Sequence, residues 1–192
     1  MAWSAPVTIA EPASEPVTLP EAKEFLSIAA DEAEFDALIG AFIGAAREQI
    51  EAVTGTRLVE QSVELRADHW SDLLHLPIGP ASAIEAVSYV DGDGVLRAVD
   101  EGSYELGGAG LSQMILTTGA ISWPSGARRA QGSIRVRLTV GYAKLPRPLW
   151  TAMLLMVGDL FAFRETAVTG TVAAKIPVST TVEAMLTNHR IW

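Results

Sequence analysis

Two histidines and two aspartates lie close together near the middle of the chain, and metal binding is the chemistry that this group could support. His69 and His75 are six residues apart, and Asp68 and Asp72 lie beside them. In an extended segment, positions six apart share one face, so the two imidazoles could ligate one ion. A third clear ligand is missing from the pattern. Ordinary surface or half-buried histidines are therefore the favoured interpretation, and we expect no resident metal.

The Asp-Gly-Asp-Gly run from Asp91 to Gly94 invites comparison with a calcium loop. An EF-hand loop that begins at Asp91 needs an oxygen ligand where Val95 stands and a glutamate where Gly102 stands. Both requirements fail. Because the run lies between segments of alternating polarity, it predicts the turn of a β-hairpin.

The remaining motifs give no catalytic or cofactor-binding residues. Gly107, Gly108 and Gly110 are not followed by a Lys-Ser/Thr pair or a helix, so they favour a flexible strand connection over a phosphate cradle. Neither a Gly-x-Ser-x-Gly elbow nor a His-Glu-x-x-His motif occurs, and the absence of cysteine excludes thiol nucleophiles. Carboxylate pairs stay open, since proximity in the fold cannot be seen in the sequence. No group of residues in the sequence therefore meets the first requirements of an active site.

Asp159 is the one acidic residue within a long apolar stretch. A buried carboxylate needs a partner, and Arg164 or an arginine of a neighbouring copy could supply it. We predict a structural ion pair between Asp159 and Arg164.

Composition and charge limit the possible partners. The net charge is −9, and residues 1–55 carry ten acidic and two basic side chains, whereas residues 142–192 carry three acidic and five basic ones. An acidic chain does not bind the nucleic-acid backbone through counterion release, although DNA could pass it without being gripped. The start of the chain lacks the pattern of a secretory signal, and no segment has the length and apolar character of a membrane span.

Hydrophobic periodicity predicts four helices and seven strands. The helices are expected over Thr18–Ile28, Asp31–Thr54, Leu145–Glu165 and Thr180–Asn188, with a capping box between Thr18 and Glu21. The strands are expected over Arg57–Ala67, Leu73–Ile78, Ala83–Val90, Val95–Val99, Ser103–Leu106, Met114–Thr117 and Ser133–Val140.

This order predicts an α+β fold: a helical core of about four helices, with an antiparallel β-module inserted between the second and third main helices. The expected parts are a flexible N-terminal arm over 1–17, a helical core over 18–56 and 142–165, the β-module over 57–141, and a linker with a short C-terminal docking helix over 166–192. The helix that begins near Leu145 is apolar nearly all round. It should be covered on most sides, either by this chain or by neighbouring copies.

Four stretches, taken together, resemble the head–tail connector (adaptor) proteins of tailed phages and phage-like gene transfer agents. They are TLPEAKEFLSI followed by DALIGAFIGAAREQIEAVTG, then LPIGPASAIEAVSYVDGDG, then GYAKLPRPLWTAMLLMVGDLFAFRE, and finally IPVSTTVEAMLTNHRIW. The likeness covers roughly residues 18 to 192, and the order and spacing of the stretches carry it. The chain departs from shorter relatives in its long β-block, Arg57 to Gly141.

The resemblance implies a structural protein that forms a ring of twelve copies beneath the portal of the particle. It implies that the protein is not an enzyme and requires no cofactor. The ring would extend the DNA channel and offer an attachment platform to tail components. The implied partners are further copies of the chain, the portal protein, a tail-side stopper or terminator protein, and DNA that passes without specific binding; no membrane is involved. The chain would be assembled in the bacterial cytoplasm and would lie in the neck of the virion or phage-like particle.

The C-terminal segment is the part that the resemblance assigns to the portal. The candidate docking residues are Met185, Leu186, Arg190, Ile191 and Trp192. A terminal tryptophan is costly to leave in water, so it should pack on a partner or fold back on the chain's own core. Both alternatives stay open.

Two other functions also stay open. One is a small ligand-binding or enzymatic domain in the β-module, with a pocket near His69, Trp70 and Asp72. The other is a tail-completion or stopper protein of the same particle. The helix-rich ends of the chain favour the adaptor, because a stopper is expected to be mainly β.

Overall fold

The computed structural model describes residues 3–128, 130–163 and 180–191. The described residues form two compact units. The β unit contains those of Met1–Ala13, Gly55–Ala143 and Ile191–Trp192, and the helical unit contains those of Ser14–Thr54 and Lys144–Arg190. The α+β fold class is confirmed. The predicted linker over 166–179 lies outside the described residues.

The helical unit contains four described α-helices: α1 (Leu19–Phe25), α2 (Asp36–Thr54), α3 (Arg147–Ala162) and α4 (Thr180–Leu186). The predicted capping box of α1 is confirmed. The Thr18 hydroxyl accepts from the Glu21 backbone N–H, and the Glu21 carboxylate accepts from the Thr18 backbone N–H at 2.7 Å. A hydrogen bond between Trp150 and the Glu21 side chain joins α1 to the start of α3.

Helix α2 begins five residues later than predicted, at Asp36 instead of Asp31. The Lys23 ammonium group donates to the backbone carbonyls of Ala30 and Glu32 and to the Asp36 carboxylate, at 3.1, 2.5 and 2.8 Å. These bonds hold residues 30–35 as a turn against Lys23 of α1, and the regular helix begins after it.

Helix α3 buries one face in the single chain. Leu149, Ala152, Met153, Leu154 and Val157 are buried. The other apolar side chains of α3, which include Trp150, Leu155, Met156 and Leu160, are only half-buried. Of the two sources of cover that were expected, the chain itself therefore supplies one face, and cover of the remainder by a neighbouring copy stays a prediction.

The β unit contains a five-stranded sheet and a two-stranded sheet among its described residues, with strand order β1-β2-β7-β3-β4 in the first and β5-β6 in the second. The strands are β1 (Val7–Ala10), β2 (Gln61–Ala67), β3 (Ala81–Val90), β4 (Leu96–Ala98), β5 (Tyr104–Ala109), β6 (Ser112–Thr117) and β7 (Ile134–Val140). Every pairing is antiparallel. Strand β7 lies at the centre, and its alternating pattern buries Ile134, Val136, Leu138 and Val140 as predicted.

Two predictions in this unit are wrong. Residues 7–10 pair with β2 as edge strand β1, and the Trp3 indole N–H donates to the His75 carbonyl at 3.1 Å, so the start of the described chain is not a free arm. The strand predicted over Leu73–Ile78 is replaced by a 3-10 helix over Trp70–Leu74. Backbone hydrogen bonds with a spacing of three residues, from the Asp72 N–H to the His69 carbonyl and from the His75 N–H to the Asp72 carbonyl, form this tight turn.

Candidate functional site

The two aspartates near residue 70 accept hydrogen bonds from backbone N–H groups of the β unit. The Asp72 carboxylate accepts from the His69 backbone N–H at 3.0 Å, and the Asp68 carboxylate accepts from the Gly132 backbone N–H at 2.7 Å. Both acids therefore hold the backbone. The part of the chain that the structure describes contains no group of three or more His, Cys, Asp or Glu residues placed to hold an ion.

The Asp-Gly turn is a hairpin turn, as predicted. The Asp91 carboxylate accepts from the backbone N–H groups of Asp93 and Val95 and from the Arg97 guanidinium at 2.8 Å. The hydrogen bond from Arg97 is the main reason that the pKa of Asp91 lies below its ordinary value.

The glycine-rich stretch belongs to the β5–β6 hairpin, where a Cβ on Gly108 would lie 2.2 Å from the Ser112 carbonyl oxygen.

The β unit has a small cleft of about 230 Å³ beside a cluster of aromatic rings. Trp70 and Trp123 stack face to face, with ring centroids 4.7 Å apart, and Tyr89 contacts the edge of the Trp70 ring. The Trp70 indole N–H donates to the Pro124 carbonyl. Since the rings cover one another and the indole donor is used, the cluster stabilises the unit and leaves little surface for a ligand.

The predicted docking residues do not form one exposed patch. Leu186 is buried, so its side chain packs inside the helical unit and is not available to a partner. Met185 and Arg190 are half-buried. Ile191 is half-buried in the β unit, near Gly55 and Gly79. Trp192 lies outside the described residues.

Of the predicted ion pair between Asp159 and Arg164, the structure describes only Asp159. Asp159 is half-buried on α3, and its backbone carbonyl accepts from the Phe163 N–H. Arg164 lies outside the described residues, so the pair stays a prediction.

One end of the helical unit is rich in phenylalanine. We call it the phenylalanine end; it comprises the end of α1, the turn over residues 30–35, the start of α2 and the end of α3. Phe35 and Phe161 meet edge to face, with centroids 5.5 Å apart, and a Cβ on Gly158 would lie 3.1 Å from the Phe25 ring. The rings of Phe25 and Phe163 are 44% and 57% exposed.

The turn at the phenylalanine end displays negative charge. Glu24, Asp31, Glu32 and Glu34 are exposed, and no described lysine or arginine forms an ion pair with them. Asp36 differs, because the buried Lys23 ammonium group neutralises it. An exposed apolar surface bordered by uncompensated charge is typical of a protein–protein contact.

The opposite end of the helical unit carries a groove, which we call the α4 groove. It has a volume of about 560 Å³ and is lined by Pro148, Thr181, Ala184, Met185, Asn188 and His189. Burial lowers the pKa of His189, so its imidazole is neutral at pH 7. A cavity of this size accommodates aromatic groups.

Two basic residues that shortly precede Pro148 of the groove in the sequence have no ion-pair partner among the described residues. Lys144 and Arg147 are exposed at the start of α3, and neither forms an ion pair with a described residue. The Nε atom of Arg190 is buried and has no hydrogen-bond partner among the described residues. Glu183, which is exposed on α4, reduces this positive charge only partly.

Arg47, in contrast to these residues, lies among carboxylates of its own unit. Arg47 on α2 forms ion pairs with Glu15, Glu48 and Glu51, at 2.9, 3.7 and 3.4 Å. Attraction to these carboxylates raises the pKa of Arg47 against the opposing effect of burial. The exposed acids of the phenylalanine end and the bases Lys144 and Arg147 therefore stand out as charges without partners in the described chain.

Sequence reasoning missed both ends of this unit. The acidic residues from Asp31 onward were assigned to the first turn of α2, so the separate turn over residues 30–35 was not predicted. At the other end, only the last residues of the sequence were considered as a docking site, and the α4 groove was not predicted. The signal that was available is the distribution of phenylalanine, because all five phenylalanines of the sequence belong to the helical unit.

Comparisons with known proteins find relatives through the fold and not through the sequence. No protein-family model matches the chain, and no curated protein matches it. None of the described helices has the length and hydropathy required to cross a bilayer.

Solved structures share the fold over nearly the whole chain. A chain of the neck of an empty GTA particle, computed with C6 symmetry, has a TM-score of 0.77 at 20% identity, with 98% of this chain and 96% of that chain covered. A chain of the virion of a native gene transfer agent (GTA) particle has a TM-score of 0.75 at 23% identity and the same coverage. A chain of the neck of a native GTA particle, computed with C12 symmetry, has a TM-score of 0.66 at 22% identity, with 96% of each chain covered. The resemblance derived from the sequence is thus confirmed at the level of the fold.

Proposed function

We propose that this chain is a structural head–tail connector (adaptor) of a tailed phage or gene transfer agent, which forms a ring of twelve copies beneath the portal. The observation that carries the proposal is the fold shared with GTA neck chains over 98% of the sequence. The C6 and C12 symmetries of two of those neck structures support a ring. In the ring, each copy extends the DNA channel and helps to form the platform for tail components.

The charge of the chain suits this role. With a net charge of −9, the protein as a whole repels the phosphate backbone. A channel wall of this kind lets DNA slide during packaging and ejection instead of holding it. The exposed apolar surface of the helical unit supports an assembled state, because monomeric proteins rarely keep such surface in water.

The partners of the ring follow from its position. The portal protein lies on one side and a stopper or terminator protein on the tail side. We propose that Arg190, Ile191 and Trp192 contribute to the contact with the portal, since they follow α4 at the end of the sequence. The role needs neither catalysis nor a cofactor, and the protein acts in the neck of the particle after assembly in the bacterial cytoplasm.

Electron microscopy of purified particles tests the proposal. A short epitope tag inserted at Ser125, which is exposed in the β unit, marks each copy without altering the helical unit. The expected result is a ring of tagged density between the portal and the tail, with twelve-fold symmetry. Particles that lack the protein, while it stays free in the cell, would overturn the connector role.

A further inference from the structure

We propose that the phenylalanine end of one copy docks into the α4 groove of the next copy, so that the ring is closed by a head-to-tail contact. This inference rests on the ring proposed above and goes beyond it by naming the two surfaces that meet. It commits to a second copy of this chain as the occupant of the groove.

The two surfaces lie at opposite ends of the same helix. Helix α3 has 16 residues, which corresponds to a length of about 24 Å. Phe163 follows its last turn, whereas Pro148, in its first turn, lines the groove. Two different patches at opposite ends of a unit make a heterologous contact, and such contacts generate rings when the rotation between copies closes.

Shape supports the pairing. The exposed rings of Phe25 and Phe163 present apolar knobs at one end, and the α4 groove presents a receptacle of about 560 Å³ at the other. Met185, half-buried on the groove wall, is a flexible side chain that adapts to an aromatic ring and contacts it favourably. Burial of exposed aromatic rings is the main source of contact energy at such an interface.

Charge supports the same pairing. The four exposed carboxylates of the phenylalanine end, one on α1 and three in the turn, lack cationic partners among the described residues. Lys144 and Arg147, which precede Pro148 of the groove in the sequence, lack anionic ones. If the phenylalanine end met its own counterpart in a two-fold contact, the carboxylates would face one another and repel. A head-to-tail contact brings opposite charges together instead.

Cross-linking of introduced cysteines tests the contact, since the natural chain contains none. Ala162 lies beside Phe163, and Asn188 lines the groove; both are exposed. Particles carrying Ala162→Cys together with Asn188→Cys are treated with a short bismaleimide. We expect a ladder of covalent oligomers, whereas each single variant gives none and a mixture of the two single variants gives dimers only.

A matched control has Ala162→Cys with Ser125→Cys, which places the second thiol in the β unit. The head-to-tail pair should give about tenfold more cross-linked product than this control, because a docked neighbour holds its thiol at a high effective concentration. Dimers from Ala162→Cys alone would show a two-fold contact and overturn the proposal. An internal cross-link within one copy would overturn it as well.

Charge reversal provides an independent test. Glu32→Lys with Glu34→Lys, or Lys144→Glu with Arg147→Glu, should each reduce ring formation, because like charges then meet across the contact. Copies that carry all four substitutions restore the opposite charges and should recover it. Failure of the fourfold variant to recover, with each double variant folded by circular dichroism, argues against this contact.

The outcomes separate this inference from the proposed function. If tagged rings are present in the neck but the cysteine pair gives no ladder, the copies meet through other surfaces and the connector role stands. If no ring of this protein is present in particles, the connector role fails, and the contact between copies fails with it.

Discussion

Lys23→Met removes the cation that holds the turn of the phenylalanine end. The side chain of Lys23 is 5% exposed, and its ammonium group binds two backbone carbonyls and the Asp36 carboxylate. Methionine has a similar length and fills the same space, so packing changes little. The perturbation therefore isolates the polar contacts of one nitrogen atom.

The expected cost follows from the burial of the pair. Removing one partner of a fully buried ion pair costs about 3–5 kcal/mol. The Asp36 side chain is 36% exposed, so water can solvate the freed carboxylate and lowers the expected cost to about 2 kcal/mol. The two carbonyls also lose a donor, but they belong to the exposed residues Ala30 and Glu32, so water can replace it and their contribution is small.

Urea unfolding followed by far-ultraviolet circular dichroism measures the change. With a slope of about 2 kcal/mol per molar urea, the midpoint should fall by about 1 M. Lys144→Met is the matched control; this lysine is exposed and has no ion-pair partner among the described residues, so its midpoint should change by less than about 0.25 M. Equal midpoints for the two variants would refute the structural role of Lys23. Hydrogen exchange should also become faster in the turn over residues 30–35.

Three further predictions concern other parts of the chain. Gln113→Leu should lower the free energy of unfolding in urea by about 2 kcal/mol. The buried Gln113 amide donates to the Ala81 carbonyl at 2.8 Å and accepts from the Ala81 N–H at 2.6 Å, and leucine can replace neither hydrogen bond. Gly141→Ala should lower the free energy of unfolding by about 3 kcal/mol or more, because the added Cβ would lie 2.3 Å from a backbone oxygen. Gly110→Ala should lower it by about 1 kcal/mol, because Gly110 has a positive φ but open space around it. Similar melting temperatures for the two variants would contradict this. Hydrogen bonds from the Thr18 side chain and backbone hold the pKa of Glu21 below its ordinary value of 4.5, so its stabilisation is complete above that pH and is lost as the pH falls through the lower folded pKa. Glu21→Gln should therefore flatten the acid limb of the stability profile, and an unchanged limb would show that the carboxylate plays no such role.

Local signals predicted the elements that depend on neighbours in sequence. The capping box of Thr18 and Glu21 fixed the start of α1 within one residue. The alternation along Ile134–Val140 correctly predicted β7, because a strand that buries one face must repeat every two residues. These features are decided within a few residues, so the sequence displays them directly.

Elements that depend on distant partners were predicted poorly. Strand β1 owes its conformation to β2, with Val7 opposite Glu64, and nothing in the short segment around Val7 indicates that partner. The early start predicted for α2 was wrong, and the turn that precedes α2 is held by Lys23 on the preceding helix. In both cases a tertiary contact overrode the local preference.

The phenylalanine end and the α4 groove could not be predicted from the sequence, because each depends on contacts between distant segments. Phe25 and Phe163 are 138 positions apart in the sequence, yet they belong to one end of the helical unit because α1 packs on α3 near Gly158. The α4 groove likewise combines Pro148 with residues of a helix more than thirty positions later. Periodicity identifies each helix separately, but it contains no information on which helix ends meet.

The two acidic clusters of the helical unit differ in a way that bears on assembly. Around Arg47, three carboxylates share one cation, which lies among them and offsets part of their negative charge inside the unit. In the turn, Lys23 balances Asp36 alone, and four more carboxylates stay exposed within thirteen residues of the sequence. Their mutual repulsion opposes folding, and no cation among the described residues offsets it. A neighbouring copy that brings Lys144 and Arg147 to this turn would convert that repulsion into attraction. The contact would then weaken as salt is added, since exposed charges are screened over about 8 Å at physiological ionic strength.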